Sequence, residues 1–389
     1  MLRRLPYLLR TGCLCLIATA SAIASAASPA ANPDTISNEV AAVVAAQGLE
    51  GAARALREQP GWQPRKVVVA LPPAFADALP NMEQRLHEAA GEVELVLDRS
   101  GGWQIDPALL PGADGVIGFC TAATLAAAKD LFWLHSYTVG VDRCSDADPV
   151  LFQGRVFSNS KRLSGPTIAE HSIAMLMSIA RALPAYQRAQ DSSDWNRAIA
   201  GQERFGELAG KTLLVVGLGG IGTEVAQRAH GLGMRVIATR NSSRSGPDYV
   251  DYVGLADELG ALSKQAHVIV NALPLTDDTR GLFDRDFFAG ARPGAIFISV
   301  GRGASTVTDD LVAALQSGQL YGAGLDVTDP EPLPADHPLW QMERVVITPH
   351  VAASGGDARY RSALIAVENL RRYVAGEALL NPVDMARGY

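Results

Sequence analysis

The run LLVVGLGGIG at residues 213–222 constrains the fold of this chain more than any other feature. An apolar stretch precedes the glycines, a helix-compatible segment follows at residues 223–230, and a second apolar run at residues 234–239 completes a strand–helix–strand unit. In such a unit the first glycine permits a tight turn, the second lets the backbone approach a pyrophosphate, and the third allows close packing of the helix. The helix N-terminus also offers free N–H donors. The unit therefore predicts a dinucleotide site formed by Gly217, Gly219, Gly220, Ile221 and Gly222.

The end of the second strand of this unit distinguishes NAD from NADP. A site for NAD usually has Asp or Glu about 20 residues after the glycines, where the carboxylate binds the ribose 2′-hydroxyl. Here Arg240 stands 18 residues after Gly222, and Asn241, Ser242 and Arg244 follow it. Guanidinium groups flanked by small polar side chains suit a 2′-phosphate, which a carboxylate would repel. We predict NADP as the cofactor, with NAD as the alternative; a solvated polar loop would explain the same residues without any ligand.

The composition is that of a globular protein large enough for two cores. The chain has 389 residues, of which 48% are hydrophobic and 19% charged. Its formal net charge is −7, and it would become −10 without the three arginines among residues 1–26, which contain no acidic residue. A negative protein disfavours the backbone of nucleic acids, so we predict no nucleic-acid partner.

Residues 1–26 have the pattern of an export signal. A basic start with Arg3 and Arg4 precedes an uncharged stretch, and Ala24-Ser25-Ala26 forms a small-residue cleavage site. The stretch is too weakly hydrophobic to make a stable membrane span. We predict a periplasmic or secreted protein whose adjacent arginines resemble a twin-arginine leader. A Sec leader and an uncleaved anchor are the alternatives, and a misassigned start would leave the protein in the cytoplasm.

Two cysteines, Cys120 and Cys144, remain after the predicted signal. Two cysteines define neither a disulfide framework nor a metal site, and we predict no bound metal. We expect both to be free, buried thiols, with a bridge between them as the alternative in an oxidising compartment.

Strand-like and helix-like segments alternate from Lys66 onward. We predict two Rossmann-like α/β domains with a cleft between them: a discontinuous substrate domain at residues 65–160 and 355–389, and a dinucleotide-binding domain at residues 161–354. Residues 27–64 are predicted to be an N-terminal linker with a short helix near residues 37–58, because prolines interrupt an alanine-rich sequence. A long apolar helix at residues 167–181 leads into the second domain.

Three segments carry ionisable groups directly after apolar strands of the second domain. They are VGRG at residues 300–303, LDVTDPEP at residues 325–332 and TPH at residues 348–350. Active sites of parallel sheets lie beyond the carboxyl ends of the strands. Each residue alone has an ordinary explanation as a surface ion pair or a hydrogen-bonded loop residue, and it is the set of Arg302, Glu331 and His350 that indicates catalysis.

Taken with the glycine turn and the segments LPLT at residues 273–276 and TRG at residues 279–281, these motifs resemble the D-2-hydroxyacid dehydrogenase family from about Lys66 to the C-terminus. The resemblance implies that Arg302 binds the carboxylate and carbonyl of a 2-oxo acid, that His350 donates or accepts the proton, and that Glu331 is the partner of His350. A guanidinium suits a planar carboxylate, and an imidazole changes charge near neutral pH. A neighbouring carboxylate favours the protonated imidazole.

The resemblance also implies further contacts with the cofactor. Asp326 would accept a hydrogen bond from the nicotinamide carboxamide. The other implied cofactor contacts are Leu273, Pro274, Thr279 and Val300. Three further polar residues, His135, Glu170 and His171, are predicted to be structural.

Two loops of the first domain resemble the family's substrate loops. Backbone N–H groups at Cys120 and Thr121 would hold the substrate carboxylate opposite Arg302, and Gly140 would allow close approach. Family resemblance also implies a homodimer built on the helix at residues 167–181 and the segment through Trp195, which is more apolar than a monomer's surface should be.

The sequence thus predicts an NADP-dependent oxidoreductase that interconverts a 2-oxo acid and a D-2-hydroxy acid. Phosphite or formate oxidation is the alternative within the same superfamily, although the formate enzymes typically have Gln where this chain has Glu331. Outside enzymes, the alternative is a nucleotide-sensing interaction protein on the same fold. Turnover of glyoxylate or hydroxypyruvate would discriminate among the three.

Overall fold

The computed structural model describes residues 33–385, apart from residues 103, 146 and 200–204. The predicted export signal at residues 1–26 lies outside the described residues. The described residues form two separate sheets, one of five strands and one of seven, and every pair of neighbouring strands in them is parallel. The predicted fold class, an α/β protein with two parallel-sheet domains, is confirmed.

The first sheet has the strand order β2-β1-β3-β4-β5. Its strands are β1 (Lys66–Ala70), β2 (Glu94–Asp98), β3 (Gly115–Gly118), β4 (Trp133–Ser136) and β5 (Val156–Asn159). The helices of this part of the chain are α1 (Pro33–Gln47), α2 (Pro73–Ala76), α3 (Met82–Ala90), α4 (Ala122–Ala127) and α5 (Asp142–Ser145). Strands β3 and β4 are buried along their whole length, and β1 is buried apart from Lys66, as is typical of the central strands of a parallel sheet.

The second sheet has the strand order β12-β11-β10-β9-β6-β7-β8. Its strands are β6 (Thr212–Val216), β7 (Arg235–Thr239), β8 (Tyr252–Gly254), β9 (Val268–Asn271), β10 (Ala295–Ser299), β11 (Leu320–Leu325) and β12 (Val345–Ile347). The order reverses between β6 and β9, and ligands of such sheets bind beyond the carboxyl ends of the strands at this switch point.

In the second part of the chain, the residues that the structure describes form seven α-helices. They are α6 (Gly165–Ala180), α7 (Leu183–Asp191), α8 (Gly220–Gly231), α9 (Leu259–Ser263), α10 (Arg285–Gly290), α11 (Thr308–Gln316) and α12 (Gly356–Ala375). Helix α6 packs against α8 and the second sheet, so the long apolar helix of the sequence belongs to the core of that unit. None of the helices in the described part of the chain is both long and apolar enough to cross a membrane.

Helix α12 returns the chain to the first sheet. The ring of Tyr373 stacks on Trp133 with centroids 4.8 Å apart, and its hydroxyl donates to Asp114 Oδ1 at 2.6 Å. Several apolar residues of α12 lie in the same core as β1 and α3. The first unit therefore consists of two stretches of chain, joined through α12.

The segment predicted as a linker requires correction where the structure describes it. Helix α1 begins before the predicted helix, and Val40, Val43, Leu49 and Leu56 are buried in the core of the first unit. Arg57 donates from Nε to the Gly376 carbonyl at 3.0 Å, which fixes the segment to the end of α12. The prolines of this segment interrupt helices without detaching it, so residues 33–64 are part of the first unit rather than a linker.

Candidate active site

The glycine turn lies between β6 and α8, at the switch point of the second sheet. Gly217 has φ 97°, a left-handed conformation that favours glycine, and Leu218 N donates to the Thr239 carbonyl at 2.9 Å. A Cβ on Gly222 would overlap the Gly217 carbonyl oxygen, so α8 approaches the turn as closely as only glycine allows. A Cβ on Gly219 would meet no atom within 4 Å, which leaves room beside the backbone for a phosphate. The turn fits a dinucleotide pyrophosphate.

The other residues predicted to contact the cofactor lie in the segment after β9 and directly after β10. The side chain of Leu273 borders Gly217, where an added Cβ would lie 3.0 Å from Leu273 Cδ2. Thr279 uses its hydroxyl within its own loop, donating to the Pro274 carbonyl at 2.7 Å. Val300 is buried, and its N–H donates to the Asn271 carbonyl at 3.1 Å. Leu273 is thus the member of this group that directly borders the glycine turn.

The loop after β7 carries the predicted phosphate-binding residues on the surface. Asn241, Ser242 and Arg244 are exposed. Both the backbone and the side chain of Arg240 are hydrogen-bonded. Its backbone N–H donates to the Gly254 carbonyl at 3.0 Å, and its Nη1 donates to the Ser245 carbonyl at 3.2 Å. These contacts keep the Arg240 guanidinium at the carboxyl edge of the sheet, where a 2′-phosphate would bind.

A carboxylate that the sequence analysis missed lies beside this loop. Glu258 Oε1 is 2.6 Å from Arg244 Nη1, and Tyr252 OH donates to the other carboxylate oxygen. Hydrogen bonds from Tyr252 and from the Leu255 N–H lower the pKa of the Glu258 carboxyl, and Arg244 adds to the effect. Glu258 stands far beyond the usual sequence position of a ribose-binding acid, and strand β8 brings it to this edge.

Arg302 follows β10 and begins a turn that a buried asparagine supports. The Asn271 amide donates to Ser299 Oγ at 3.1 Å and to Ser305 Oγ at 2.8 Å, while Ser305 Oγ donates to the Arg302 carbonyl at 2.6 Å. The Arg302 Nη1 atom donates to the Gly301 carbonyl at 2.9 Å. Asn271 is completely buried at the end of β9, and it fixes the backbone from which the Arg302 side chain extends.

His350 and Glu331 are in direct contact, as the sequence analysis predicts. His350 Nδ1 lies 2.7 Å from Glu331 Oε1, and both side chains are a little under half exposed. His350 has φ 54°, a conformation that is uncommon for a residue other than glycine. Its N–H donates to the Asp326 carbonyl at 2.8 Å, which holds this turn in place.

Asp326 is buried, and it anchors the loop that carries His350. Its Oδ1 atom accepts from Thr348 Oγ1 at 2.6 Å and from Val351 N at 2.9 Å, and its Oδ2 atom accepts from Ala352 N at 3.0 Å. The contact with a nicotinamide carboxamide stays a prediction, and the observed bonds make Asp326 a support of the loop that carries His350.

His171, predicted to be structural, extends this network from helix α6. Its Nε2 atom lies 2.8 Å from Thr348 Oγ1 and 3.7 Å from Asp326 Oδ1. The sequence places His171 well over a hundred residues before the loop that carries His350, so only the packing of α6 reveals the contact.

The first unit contributes two loops at the carboxyl edge of its sheet. Loop 119–121 follows β3 and loop 137–141 follows the adjacent strand β4. The structure joins Cys120 and Cys144 in a disulfide with Cα atoms 5.4 Å apart, which corrects the expectation of two free thiols. Packing brings the two loops together, and the spacing of two cysteines in a sequence carries no information about that.

Arg302, Asp326 and His350 follow β10, β11 and β12, which are neighbours in the second sheet. A dinucleotide turn and an imidazole–carboxylate pair on one sheet edge define a nicotinamide-dependent dehydrogenase, because its reaction exchanges a hydride and a proton. Residues 173–352 match the model of the family described as D-isomer specific 2-hydroxyacid dehydrogenase, NAD binding domain.

Known relatives extend this match over most of the chain. Glyoxylate/hydroxypyruvate reductase B of Shigella boydii is 32% identical over 282 residues, which are 71% of this chain and 86% of that protein. The structure of the NADPH-dependent glyoxylate/hydroxypyruvate reductase of Sinorhizobium meliloti, in complex with NADP and sulfate, is 26% identical with a TM-score of 0.69, covering 84% of this chain and 100% of that one. The structure of a D-isomer specific 2-hydroxyacid dehydrogenase of Xanthobacter autotrophicus Py2, in complex with NADPH and MES, is 27% identical with a TM-score of 0.69. The match covers 83% of this chain and 99% of that one. The chain belongs to the D-isomer-specific 2-hydroxyacid dehydrogenase family and is an oxidoreductase.

Proposed function

We propose that this protein reduces small 2-oxo acids to 2-hydroxy acids with NADPH, and that glyoxylate and hydroxypyruvate are among its substrates. The 2.7 Å contact between His350 and Glu331 carries the proposal, because it gives the site a positioned proton donor. The relatives named as glyoxylate/hydroxypyruvate reductases support the choice of substrates.

Arg302 binds the substrate in this proposal. Its planar guanidinium pairs with a carboxylate through two parallel hydrogen bonds, and its positive charge stabilises the negative charge that develops on the carbonyl oxygen. When bound, the nicotinamide supplies the hydride to the carbonyl carbon. The support of the Arg302 turn by Asn271 keeps this cation in place before the substrate arrives.

His350 transfers the proton. With Nδ1 donating to Glu331, the imidazole presents Nε2 as the atom that gives its proton to the carbonyl oxygen during reduction and takes it back during oxidation. The Glu331 carboxylate stabilises the imidazolium and fixes the ring, while Asp326 holds the backbone of the same loop.

Arg240 and Arg244 select NADP in this proposal. Both lie in the loop after β7, next to the glycine turn, in the position where NAD enzymes carry an acid. NADP or NADPH accompanies the two relatives of known structure described above. NAD is the alternative, since Glu258 competes for Arg244 in the structure.

We propose that the protein is a homodimer joined through α6, α7 and the segment that follows. Trp195 is 89% exposed, and Leu183 and Met177 are also exposed on this side. An open groove of about 630 Å³ is lined by residues such as Tyr186, Gln190 and Trp195. Exposed aromatic and aliphatic groups of this kind are typical of an interface. Light scattering at micromolar concentration should give twice the mass of the chain, and Trp195→Ala should weaken the assembly; a monomeric parent enzyme would contradict the proposal.

We also propose that the chain is exported with residues 1–26 as its signal. The disulfide between Cys120 and Cys144 supports an oxidising compartment. Mass spectrometry of the protein from its native cells should find the mature N-terminus at Ala27. A protein that retains its first residues and is found in the cytoplasm would overturn this assignment.

The test of the function is turnover by the purified enzyme. Loss of NADPH absorbance with glyoxylate or hydroxypyruvate, together with formation of the 2-hydroxy acid, is the expected result. Oxidation of phosphite or formate without reduction of 2-oxo acids would show that the protein is a phosphite or formate dehydrogenase instead. Tight binding of NADPH without turnover of any of these compounds would favour a nucleotide-sensing protein.

A further inference from the structure

The Cys120–Cys144 disulfide links two loops that lie side by side at one edge of the first sheet. Strands β3 and β4 are paired in register up to Gly118 and Ser136, so the loops that follow them leave the sheet next to each other. Cys120 lies in the first loop, and Cys144 lies in α5, directly after the second loop. Both cysteines are buried, in a core cluster that also contains Val116 and Leu134.

These are the two loops that the sequence analysis assigns to substrate binding. Thr121 is the N-cap of α4, and its hydroxyl accepts from Thr124 N at 3.1 Å. In the second loop, Asn159 donates to the Val139 carbonyl at 2.6 Å and Thr138 donates to the Gly140 carbonyl at 2.9 Å. Hydrogen bonds thus order each loop separately, those of the second loop including one from β5, and the disulfide is a covalent bond between the two loops.

We propose that the Cys120–Cys144 bond is a clamp that positions the backbone N–H groups of Cys120 and Thr121, relative to the Gly140 loop, for the substrate carboxylate. The clamp rests on the function proposed above. Neither sulfur touches the substrate, so both cysteines are positioning residues. A carboxylate bound by backbone donors depends on their spacing, and a covalent tie maintains that spacing before the ligand arrives.

Breaking the clamp should raise the KM for the 2-oxo acid more than it lowers kcat. Without the covalent bond nothing fixes the distance between the two loops, so they gain conformational freedom and must be ordered again when the substrate binds. Reordering a few groups corresponds to roughly a 3- to 10-fold loss of affinity. The glycine turn and Arg240 belong to the other sheet, so the Kd for NADPH should stay the same.

A bond that only stabilises the fold would behave differently. Its loss would lower the Tm and leave the KM for the 2-oxo acid unchanged. Val116→Ala is the matched control, because Val116 lies buried in β3 within the same core and leaves both cysteines intact. This variant should lower the Tm through a cavity without changing the spacing of the loops.

The experiment compares the parent enzyme, Val116→Ala, Cys120→Ser/Cys144→Ser and Cys120→Ala/Cys144→Ala. The readouts are Tm, kcat and KM for glyoxylate, and the Kd for NADPH from fluorescence quenching. Two double variants are made because the surroundings of the cysteines are apolar. The alanine pair suits these surroundings, and it provides the test if the serine pair does not fold. Alkylation of the unfolded parent enzyme, followed by mass spectrometry, should add no label to either cysteine.

The expected result is a higher KM for glyoxylate in the folded double variants alone. An unchanged KM in a folded double variant, or two labelled cysteines in the parent enzyme, would overturn the clamp. A parent enzyme without turnover of any 2-oxo acid would instead refute the proposed function. The two failures are therefore distinguishable.

Discussion

Arg244 Nη1 and Glu258 Oε1 lie 2.6 Å apart, so one of the two arginines predicted to bind a 2′-phosphate is already paired with a carboxylate. The hydroxyl of Tyr252 accepts a hydrogen bond from Arg244 and donates one to Glu258. A phosphate that binds Arg244 must either displace the Glu258 carboxylate or bind close to it, where the two negative charges repel each other. Arg240, whose side chain contacts the Ser245 carbonyl, is held without such competition from Glu258. The preference for NADP should therefore depend on both Arg240 and Glu258.

Glu258→Gln should tighten the binding of NADPH. The amide keeps an oxygen for the Leu255 N–H but removes the negative charge, which frees Arg244 for the 2′-phosphate. Because the ion pair lies at the surface, where water and salt screen it, we expect a modest gain of roughly fivefold in the Kd for NADPH. Fluorescence titration with NADPH and NADH is the measurement, and the Kd for NADH should stay near its parent value. Glu343→Gln, which removes an exposed acid paired with Arg188, is the control.

Arg240→Asp should narrow or invert the preference for NADPH over NADH. The substitution removes a charge-assisted contact worth about 1.5–3 kcal/mol, which corresponds to roughly 10- to 150-fold. The ratio of kcat/KM for the two cofactors is the measurement. Equal use of both cofactors by the parent enzyme would contradict the assignment of this loop.

Removal of Arg302 should abolish turnover while leaving the binding of NADPH intact. Arg302→Ala loses both the carboxylate contact and the cation near the carbonyl oxygen, so we expect kcat/KM to fall by on the order of 10²- to 10³-fold. Arg302→Lys keeps the charge but loses the two parallel hydrogen bonds, and it should recover only part of the rate. Arg292→Ala, at the opposite end of β10, is the control. Near-normal activity of Arg302→Ala on a 2-oxo acid would show that the site is wrongly assigned.

The residues whose position in the fold the sequence predicts correctly are those with local signals. The glycine turn, the arginine after β7 and the histidine after β12 each follow directly from a short run of residues. The pairing of His350 with Glu331 joins residues from two segments, and the resemblance to a known family supplied that contact. No run of neighbouring residues would have revealed it.

The features that the sequence missed depend on distant packing. Strand β8 has only three residues, too few for a periodic pattern, yet it brings Tyr252 and Glu258 to Arg244. The disulfide joins loops that are neighbours only because β3 and β4 pair. The prolines of residues 33–64 favour a linker when the sequence is considered alone. The surface that buries Val40 and Leu56 is formed by distant parts of the chain, so the sequence does not reveal it.

His135 should make the stability of the protein depend on pH. Complete burial lowers the pKa of its imidazole to about 3, from an ordinary value of 6.5. Below pH 6.5 the unfolded chain takes up a proton that the folded protein does not, so stability is full above pH 6.5 and is lost as the pH falls toward 3. The loss should reach roughly 2 kcal/mol at pH 5. Urea unfolding at pH 7 and pH 5 measures it.

His135→Gln removes this titrating group and should flatten the dependence of the unfolding free energy on pH, whatever its effect on stability at neutral pH. His87→Gln, which changes an exposed histidine of α3, should retain the parent's dependence. The same loss of stability between pH 7 and pH 5 in His135→Gln would mean that other groups cause it.

Glu331→Gln should lower kcat for reduction. The Glu331 carboxylate holds the imidazole of His350 through Nδ1, and the neutral amide of the variant is a weaker acceptor for that hydrogen bond. We therefore expect kcat to fall while the KM for the 2-oxo acid changes little, because Arg302 still binds the substrate. His350→Gln should remove the proton donor and cost on the order of 10²- to 10⁴-fold in kcat. Asp329→Asn, two residues from Glu331 and exposed, is the control for the loss of a charge.

The decisive comparison is kcat for reduction in the parent, Glu331→Gln and Asp329→Asn, with a deuterated nicotinamide used to confirm that hydride transfer limits the rate. A change in kcat then reflects the chemical step rather than product release. A lower kcat in Glu331→Gln, with the parent value retained in Asp329→Asn, is the expected result. An unchanged kcat in Glu331→Gln would mean that the carboxylate 2.7 Å from His350 contributes nothing to proton transfer, and the assignment of the two residues as a catalytic pair would be wrong.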